Sequence, residues 1–417
     1  MGFQQGLSGL SAASKQLDVI GNNVANASTV GFKQSRAEFA DMYATSFYGV
    51  ASTAAGIGVN TAAVTQQHTQ GNITPTARSL DMAINNNGFF IVKAGASTAN
   101  SAGTIYATRN GQFQVDQQGY IVNTSGDRLQ GWTASTGGVV TQGPVNDLQL
   151  QTALINPKVT SAVGMGVNLD SRMTPTAGTT LDPTKTNTFN WSNATTVYDS
   201  LGNPHNLTLY YQKAAPTTTG TDWVVNAYVD GNPATAPNTF TLNFNTNGAL
   251  TTTAKFPVSF TPAPVNGSAT PVSFTVDYTG STQYGQNAGT TSLTNDGYAP
   301  GTLRAINIDK TGIIQATYTN SQTRTIGQVA IGNFTNPQGL QPSGNNHWVE
   351  TYSSGPMQIN APGSGTAGLL QSAALEDSNV DLTTELVNMI TAQRFYQANA
   401  QTVKTQDQVL QTLINLR

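Results

Sequence analysis

The pattern of apolar and polar positions changes period along the chain. At the amino end Phe3, Leu10, Leu17 and Val24 recur every seventh residue, and Gly6, Ala13, Ile20 and Ala27 form a second line beside them. Both lines fall on one stripe of an α-helix, as a seam of large and small side chains. The carboxyl end repeats the device. Leu382, Met389, Tyr396, Val403 and Leu410 form one line, and Leu386, Gln393, Ala400, Asp407 and Ile414 the other. Both termini are therefore predicted to be long amphipathic helices. Their stability must come from covering the apolar stripe, because helix nucleation is costly. A hairpin of the two helices within one chain would cover it, and so would packing between copies; the pattern does not choose. Gln393 and Asp407 weaken a simple dimeric coil, although a buried polar residue can set its register.

Ser378 or Asn379 is the expected cap of the carboxyl helix, with Asp381 and Glu385 placing negative charge in its early turns. In the amino helix Gly21, Asn22 and Asn23 are poor helix formers, so a break is expected between Gly21 and Gly31. Between the helices the period becomes two. In VSFTVDYT, Val272, Phe274, Val276 and Tyr278 take one face and Ser273, Thr275, Asp277 and Thr279 the other. Residues 206–211, 222–230, 238–244 and 313–319 read as further strands, and 110–122 as a β-hairpin. Residues 34–70 lack clear periodicity and read as an extended connector.

Composition supports a β-rich middle. The chain has 417 residues, enough for two or three cores, yet only 9% are charged, 41 are Gly, and Thr, Asn, Ala and Ser dominate long tracts. Net charge is −3 with Lys and Arg scattered singly, so no basic stripe supports a nucleic-acid partner. Cysteine is absent, which excludes disulfides, thiolate catalysis and Cys-ligated metals. No apolar window of about 18 residues predicts a membrane span, and the first residues lack the pattern of a secretory leader. Export, if it occurs, is expected by another route.

Catalytic chemistry finds no foothold in the pattern. His68, His205 and His347 are isolated and without metal-ligand spacing, so they read as core or surface residues. Glu38, Glu350, Glu376 and Glu385 all lie outside residues 39–349, so a glycosidase pair there would need two Asp. The phosphate-loop, dinucleotide and nucleophile-elbow motifs are missing. Trp132, Trp191, Trp223 and Trp348 would suit a sugar-stacking platform, but single aromatics in β-domains are more often core. No catalytic residue, cofactor or metal is expected, with a secreted carbohydrate-binding protein or hydrolase as the alternative from another class.

The stretch LDVIGNNVANASTVGFK, with Asn22, Asn23, Ala25, Asn26, Gly31, Phe32 and Lys33, closely resembles the signature of the flagellar rod and hook family. The closing stretch LEDSNVDLTTELVNMITAQRFYQANAQTVKTQDQVLQTLINLR resembles that family's last helix, and SLDMAINNNGFF and YATRNGQFQVDQQGYIVN fit as well. AEFADMYATS at 37–46 resembles hook members rather than distal rod members, which are the nearer alternative. The resemblance runs over residues 1–145 and 296–417 and is weaker between, where DSLGNPHNLTLYY at 199–211 still looks hook-like.

The resemblance implies an α+β fold in which long terminal helices form an assembly core around two nested, predominantly antiparallel β-domains. The expected division is a helical core over 1–30 and 375–417, a connector over 31–70 and 363–374, an inner β-domain over 71–155 and 296–362, and an outer one over 156–295. It also implies a homopolymer, a flexible curved tube serving as a universal joint outside the cell, exported without a cleaved signal peptide. The implied partners are the distal rod protein, the hook cap protein, the hook-filament junction protein and the flagellar type III export apparatus. The assembly seam would consist of Phe3, Leu10, Leu17, Ile20, Val24, Leu382, Leu386, Met389, Tyr396, Val403, Leu410 and Ile414.

Overall fold

The computed structural model describes residues 2–42, 56–94, 103–135, 137–150, 154–235 and 237–415. Segment 43–55 of the expected connector, with the end of the 37–46 stretch, lies outside the described residues. The chain divides into two compact units, one of Met1–Thr152, Ala305–Thr317 and Thr323–Arg417, the other of Ala153–Arg304 and Tyr318–Gln322.

The first unit carries both terminal helices. Helix α1 spans Gly2–Ala25 and helix α2 spans Leu382–Asn415. Helix α1 continues through Gly21, Asn22 and Asn23 and stops at Ala25, inside the window where a break was expected. The stop is made by Asn26, whose backbone N–H and side-chain Nδ2 both donate to Asn22 O, at 3.1 and 2.9 Å. The α2 cap differs from expectation. Asp381 takes that role through Thr384 N–H donating to its Oδ1 at 2.9 Å, while Asn379 is engaged elsewhere.

Strands β1 (Ser35–Met42) and β2 (Gly58–Gln66) pair antiparallel, with a register shift at Glu38 and Phe39. Much of the segment expected to be plain connector is therefore a hairpin. Its pattern was hidden because both faces are largely exposed or half-buried, so no apolar alternation marks either one. The hairpin runs along α1: Val59 N–H donates to Ser8 Oγ at 3.3 Å, and Gln5 Nε2 donates to Gly56 O at 2.5 Å.

The body of this unit is a sheet centred on the strand Phe89–Lys93, which pairs antiparallel with Ile105–Thr108, Arg128–Thr133 and Ile331–Asn333. Its first four residues are all buried, because apolar clusters pack on both sides of it. Phe90 and Val92 join Met82, Ile84, Phe113 and Leu129, while Ile91 packs with Trp132 and Ala330. The expected hairpin at 110–122 is present as Phe113–Val115 paired with Ile121–Asn123.

The second unit is a β-sandwich. One sheet is an antiparallel set in which Pro204–Lys213 pairs with Trp191–Tyr198 and with Gly220–Val229. The other is built on Ala162–Asp170, which pairs antiparallel with Gly289–Asn295 but runs parallel to Val272–Asp277 and Thr282–Tyr284. Alternate residues of both sheets meet in one core, among them Val163, Met165, Leu207, Leu209, Trp223, Val225 and Val276. Tyr211 and Tyr278, fully buried there, pair their hydroxyls at 3.0 Å and so satisfy them.

Candidate assembly surface and its junction

Helices α1 and α2 pack antiparallel: a methyl group at Gly6 would lie 3.0 Å from Val403 Cγ2, and one at Gly9 would lie 2.7 Å from the Asn399 side chain. Glycine leaves room at both positions for the α2 side chains that lie over it. On α1 the covered face is the predicted one. Ala13 and Ile20 are buried, Leu10, Leu17 and Val24 are half-buried, and Phe3 is exposed.

On α2 the covered face takes in only part of the predicted seam. Glu385, Ala392, Asn399 and Gln406, again seven residues apart, are the residues that turn inward; Glu385 and Ala392 are buried, Asn399 and Gln406 half-buried. Hydrophobicity could not find this line, since three of its four residues are polar. Of the predicted α2 positions, Met389, Ala400 and Val403 are half-buried, whereas Leu382, Leu386, Tyr396, Leu410 and Ile414 are exposed, as are Gln393 and Asp407. Val387, Ile390, Phe395 and Val409 are exposed too, so α2 presents an apolar surface along about 50 Å of helix. A surface of that extent is unusual for a monomer and marks an interaction site.

The NN…GFK segment forms the junction between α1 and the sheet body. Buried Asn23 exchanges two hydrogen bonds with Ser35: Nδ2 donates to the Ser35 carbonyl at 2.8 Å, and Ser35 N–H donates to Oδ1 at 2.9 Å. Gly31 has φ of 70°, and a methyl group there would lie 2.6 Å from the Arg109 backbone, so this turn requires glycine on two counts. Its N–H donates to Glu376 O at 2.8 Å. Asn22, Ala25, Asn26 and Phe32 are exposed or half-buried and serve the turn rather than the core.

Lys33 is fully buried and completes the junction. Its Nζ lies 2.6 Å from Glu376 Oε1 and donates to Thr69 O at 2.7 Å, while Arg109 Nη1 meets Glu376 Oε2 at 3.0 Å. Gly71 N–H gives Glu376 Oε1 a further bond at 2.9 Å. One buried carboxylate thus gathers the amino-terminal turn, the sheet and the carboxyl-terminal strand. Burial pulls the Lys33 ammonium below its usual range, against the opposing pull of Glu376, and burial also lowers Arg109. Asn379 supports the same point by accepting from Gln34 N–H at 2.7 Å and donating to Gln67 O at 2.8 Å.

His68 sits beside this cluster, edge-on to Phe89 and Trp348, with a buried Nδ1 that has no partner. Burial first, then the nearby Lys33 and Arg109 charges, lower its pKa to about 4. The folded chain therefore holds His68 neutral while the unfolded chain takes up a proton near the ordinary value. This contribution to stability is full above about pH 6.5 and is lost as pH falls toward 4, on the order of 3 kcal/mol across the window. His68→Phe is expected to flatten that part of the curve, as read by thermal melts of parent and variant between about pH 4 and 7.

Other candidates from the sequence fall into the core. His205 and His347 are buried, as are Trp132, Trp223 and Trp348, and Trp191 packs half-buried against the sandwich core. No aromatic platform is formed by these four. Among the described residues no three His, Cys, Asp or Glu side chains gather as a metal site, and no helix is long and apolar enough to cross a membrane.

Comparison with known proteins agrees with this architecture. Residues 3–33 match the flagella basal body rod protein family and residues 83–170 the flagellar hook protein FlgE/F/G D1 domain. Residues 168–298 match the flagellar basal body protein FlaE D2 domain, and 371–416 the C-terminal region of the flagellar basal body rod FlgEFG proteins. The flagellar hook protein FlgE of Salmonella typhimurium is 41% identical over the whole of both chains, and that of Escherichia coli K12 likewise. FlgE of Borreliella burgdorferi is 32% identical over 99% of this chain and 98% of its own. The crystal structure of Helicobacter pylori flagellar hook protein FlgE2 superposes with a TM-score of 0.55 at 15% identity, over 73% of this chain and all of that one, a likeness of fold.

Proposed function

This chain belongs to the flagellar hook protein family, and we propose that it is the repeating subunit of a hook, a curved, flexible tube that transmits torque from rod to filament. The observation that carries the reading is the uncovered apolar face of α2. Within one chain α1 covers only one side of that helix, so Leu382, Leu386, Ile390, Leu410 and Ile414 remain for neighbouring copies. Packing of α2 against other copies would line the tube, and the seam named from the sequence divides accordingly. Ile20 and the half-buried Leu10, Leu17, Val24, Met389 and Val403 serve the hairpin, while Phe3, Leu382, Leu386, Tyr396, Leu410 and Ile414 serve assembly.

The division into helical core, connector, inner and outer β-domains supplies the mechanics in this reading. Torsional stiffness resides in the helices and the hairpin of β1 and β2, and bending in weaker contacts between polar β-domains of neighbouring copies. Low charge density favours such slippage, because few fixed ion pairs have to break and re-form. The partners are further copies, the distal rod protein at one end and the hook-filament junction protein at the other. The hook cap protein and the type III export apparatus act during assembly outside the cell. The role is structural, with no catalytic step.

Electron microscopy of purified polymer tests the reading. Curved tubes are expected. Short straight tubes would replace hook by distal rod, and a chain that stays monomeric at high concentration while its amide spectrum responds to oligosaccharide would overturn the structural role.

A further inference from the structure

An Asn-Gly pair can react with itself, because the following nitrogen reaches the side-chain amide and glycine sets no side chain in the way. The sequence holds four such pairs, at 87–88, 110–111, 247–248 and 266–267. Three are closed in by the fold. Gly88, Gly111 and Gly248 are buried, the first packed under Ile331, the second against Met82, and Gly248 N–H donates to Asn245 O at 2.9 Å. Asn266 and Gly267 of the second unit are both exposed, beside Val265 at 77%, and open space surrounds Gly267. Among the described residues nothing accepts the Gly267 N–H. Ser268 N–H donates to Asn266 Oδ1 at 3.0 Å, and Asn266 Nδ2 donates to Oδ2 of the fully buried Asp199 at 2.6 Å.

We propose that Asn266 is a site of spontaneous modification, a deamidation whose product frees its loop from Asp199. The Gly267 nitrogen, its proton taken by solvent hydroxide, attacks Asn266 Cγ. Negative charge then develops on Oδ1, where the Ser268 N–H already stands as a donor. The Cγ–Nδ2 bond breaks, and Nδ2 takes a proton from water and leaves as ammonia, closing a cyclic imide. Water then opens either imide carbonyl and returns a proton to the nitrogen, giving Asp or its isoaspartyl isomer. One water is consumed and one ammonia released, with no change of oxidation state. The product sets an acceptor where a donor stood, and two carboxylates at that separation cannot both stay charged. Asp199 is also held by Leu201 N–H at 2.9 Å, Asn203 N–H at 2.8 Å and Asn203 Nδ2 at 2.9 Å, so the new acid is the one that leaves. The reaction needs only the chain and water and runs in monomer and polymer alike.

The test is incubation of the full chain, folded and in denaturant, in warm, mildly alkaline buffer, with digestion and mass spectrometry at intervals to follow the amide-to-acid mass change at each Asn-Gly pair. In the folded chain Asn266 is expected to convert about tenfold or more faster than Asn87, Asn110 and Asn247, a modest difference in activation free energy. In denaturant the four should converge. Equal rates in the folded chain would overturn the selection. Conversion of Asn266 only in denaturant would show that its bonds to Asp199 and Ser268 protect it, and would overturn the site. The consequence is read separately by hydrogen exchange of Asn266→Asp, where the Ser268 and Ala269 amides, bonded to Asn266 Oδ1 and Ser200 Oγ in the parent, should exchange about tenfold faster. Unchanged exchange there would mean that the loop stays in place and would overturn its release.

Discussion

Replacing Glu376 by Gln is expected to lower the stability of the first unit by about 3–5 kcal/mol. Glu376 is fully buried between Lys33 and Arg109, which are themselves almost completely buried, and both cations would be left without their counter-charge. Gln keeps the shape and can still accept from Gly71 N–H, so the loss reports charge rather than volume. The measurement is a denaturant melt of monomer, with hydrogen exchange to locate the change. Protection should fall first around residues 22–35 and 374–385, where the junction ties the helices to the sheet. Lys33→Met combined with Glu376→Gln should recover part of the loss, since one unpaired ammonium is removed. A fall below about 1 kcal/mol would mean that water or Thr69 already satisfies the ammonium, and the junction would not depend on the ion cluster.

Placing Asp at Leu386 or Leu410 is expected to abolish polymer while leaving the monomer melt unchanged within about 0.5 kcal/mol. Both side chains are 50% exposed in the single chain, so a carboxylate there stays solvated. At an interface the same position loses about 1.5–3 kcal/mol of apolar burial, and an unpaired buried carboxylate costs several more. Every copy carries the defect, so the effect multiplies along a polymer. Val403→Asp and Leu10→Asp, equal to these in the heptad pattern, should behave differently. Val403 touches Gly6 and both positions are half-buried, so those variants should lower the monomer melt as well. Sedimentation beside thermal melts separates the two sets. Normal polymer from Leu386→Asp or Leu410→Asp would remove that position from the assembly surface.

Much of this protein was legible in its residues alone. The seven-residue spacing marked both helices, and strict alternation marked strands such as Val272–Asp277, because a helix or a strand with one covered face must repeat its apolar residues at the period of its own geometry. The NN…GFK signature marked the family for the same local reason: a helix stop followed by a turn that only Gly31 can make. The tertiary structure alone decided which stripe of α2 faces α1, since polar Glu385 and Asn399 lie on the covered line while Leu386 and Leu410 are left exposed. It alone brought Lys33 to Glu376 across 343 residues of chain, and it exposed the hairpin whose two faces carry no apolar rhythm. Periodicity records the burial of a surface within one element. What that surface is buried against, and which distant charge completes a pair, depends on chain segments whose meeting leaves no local trace.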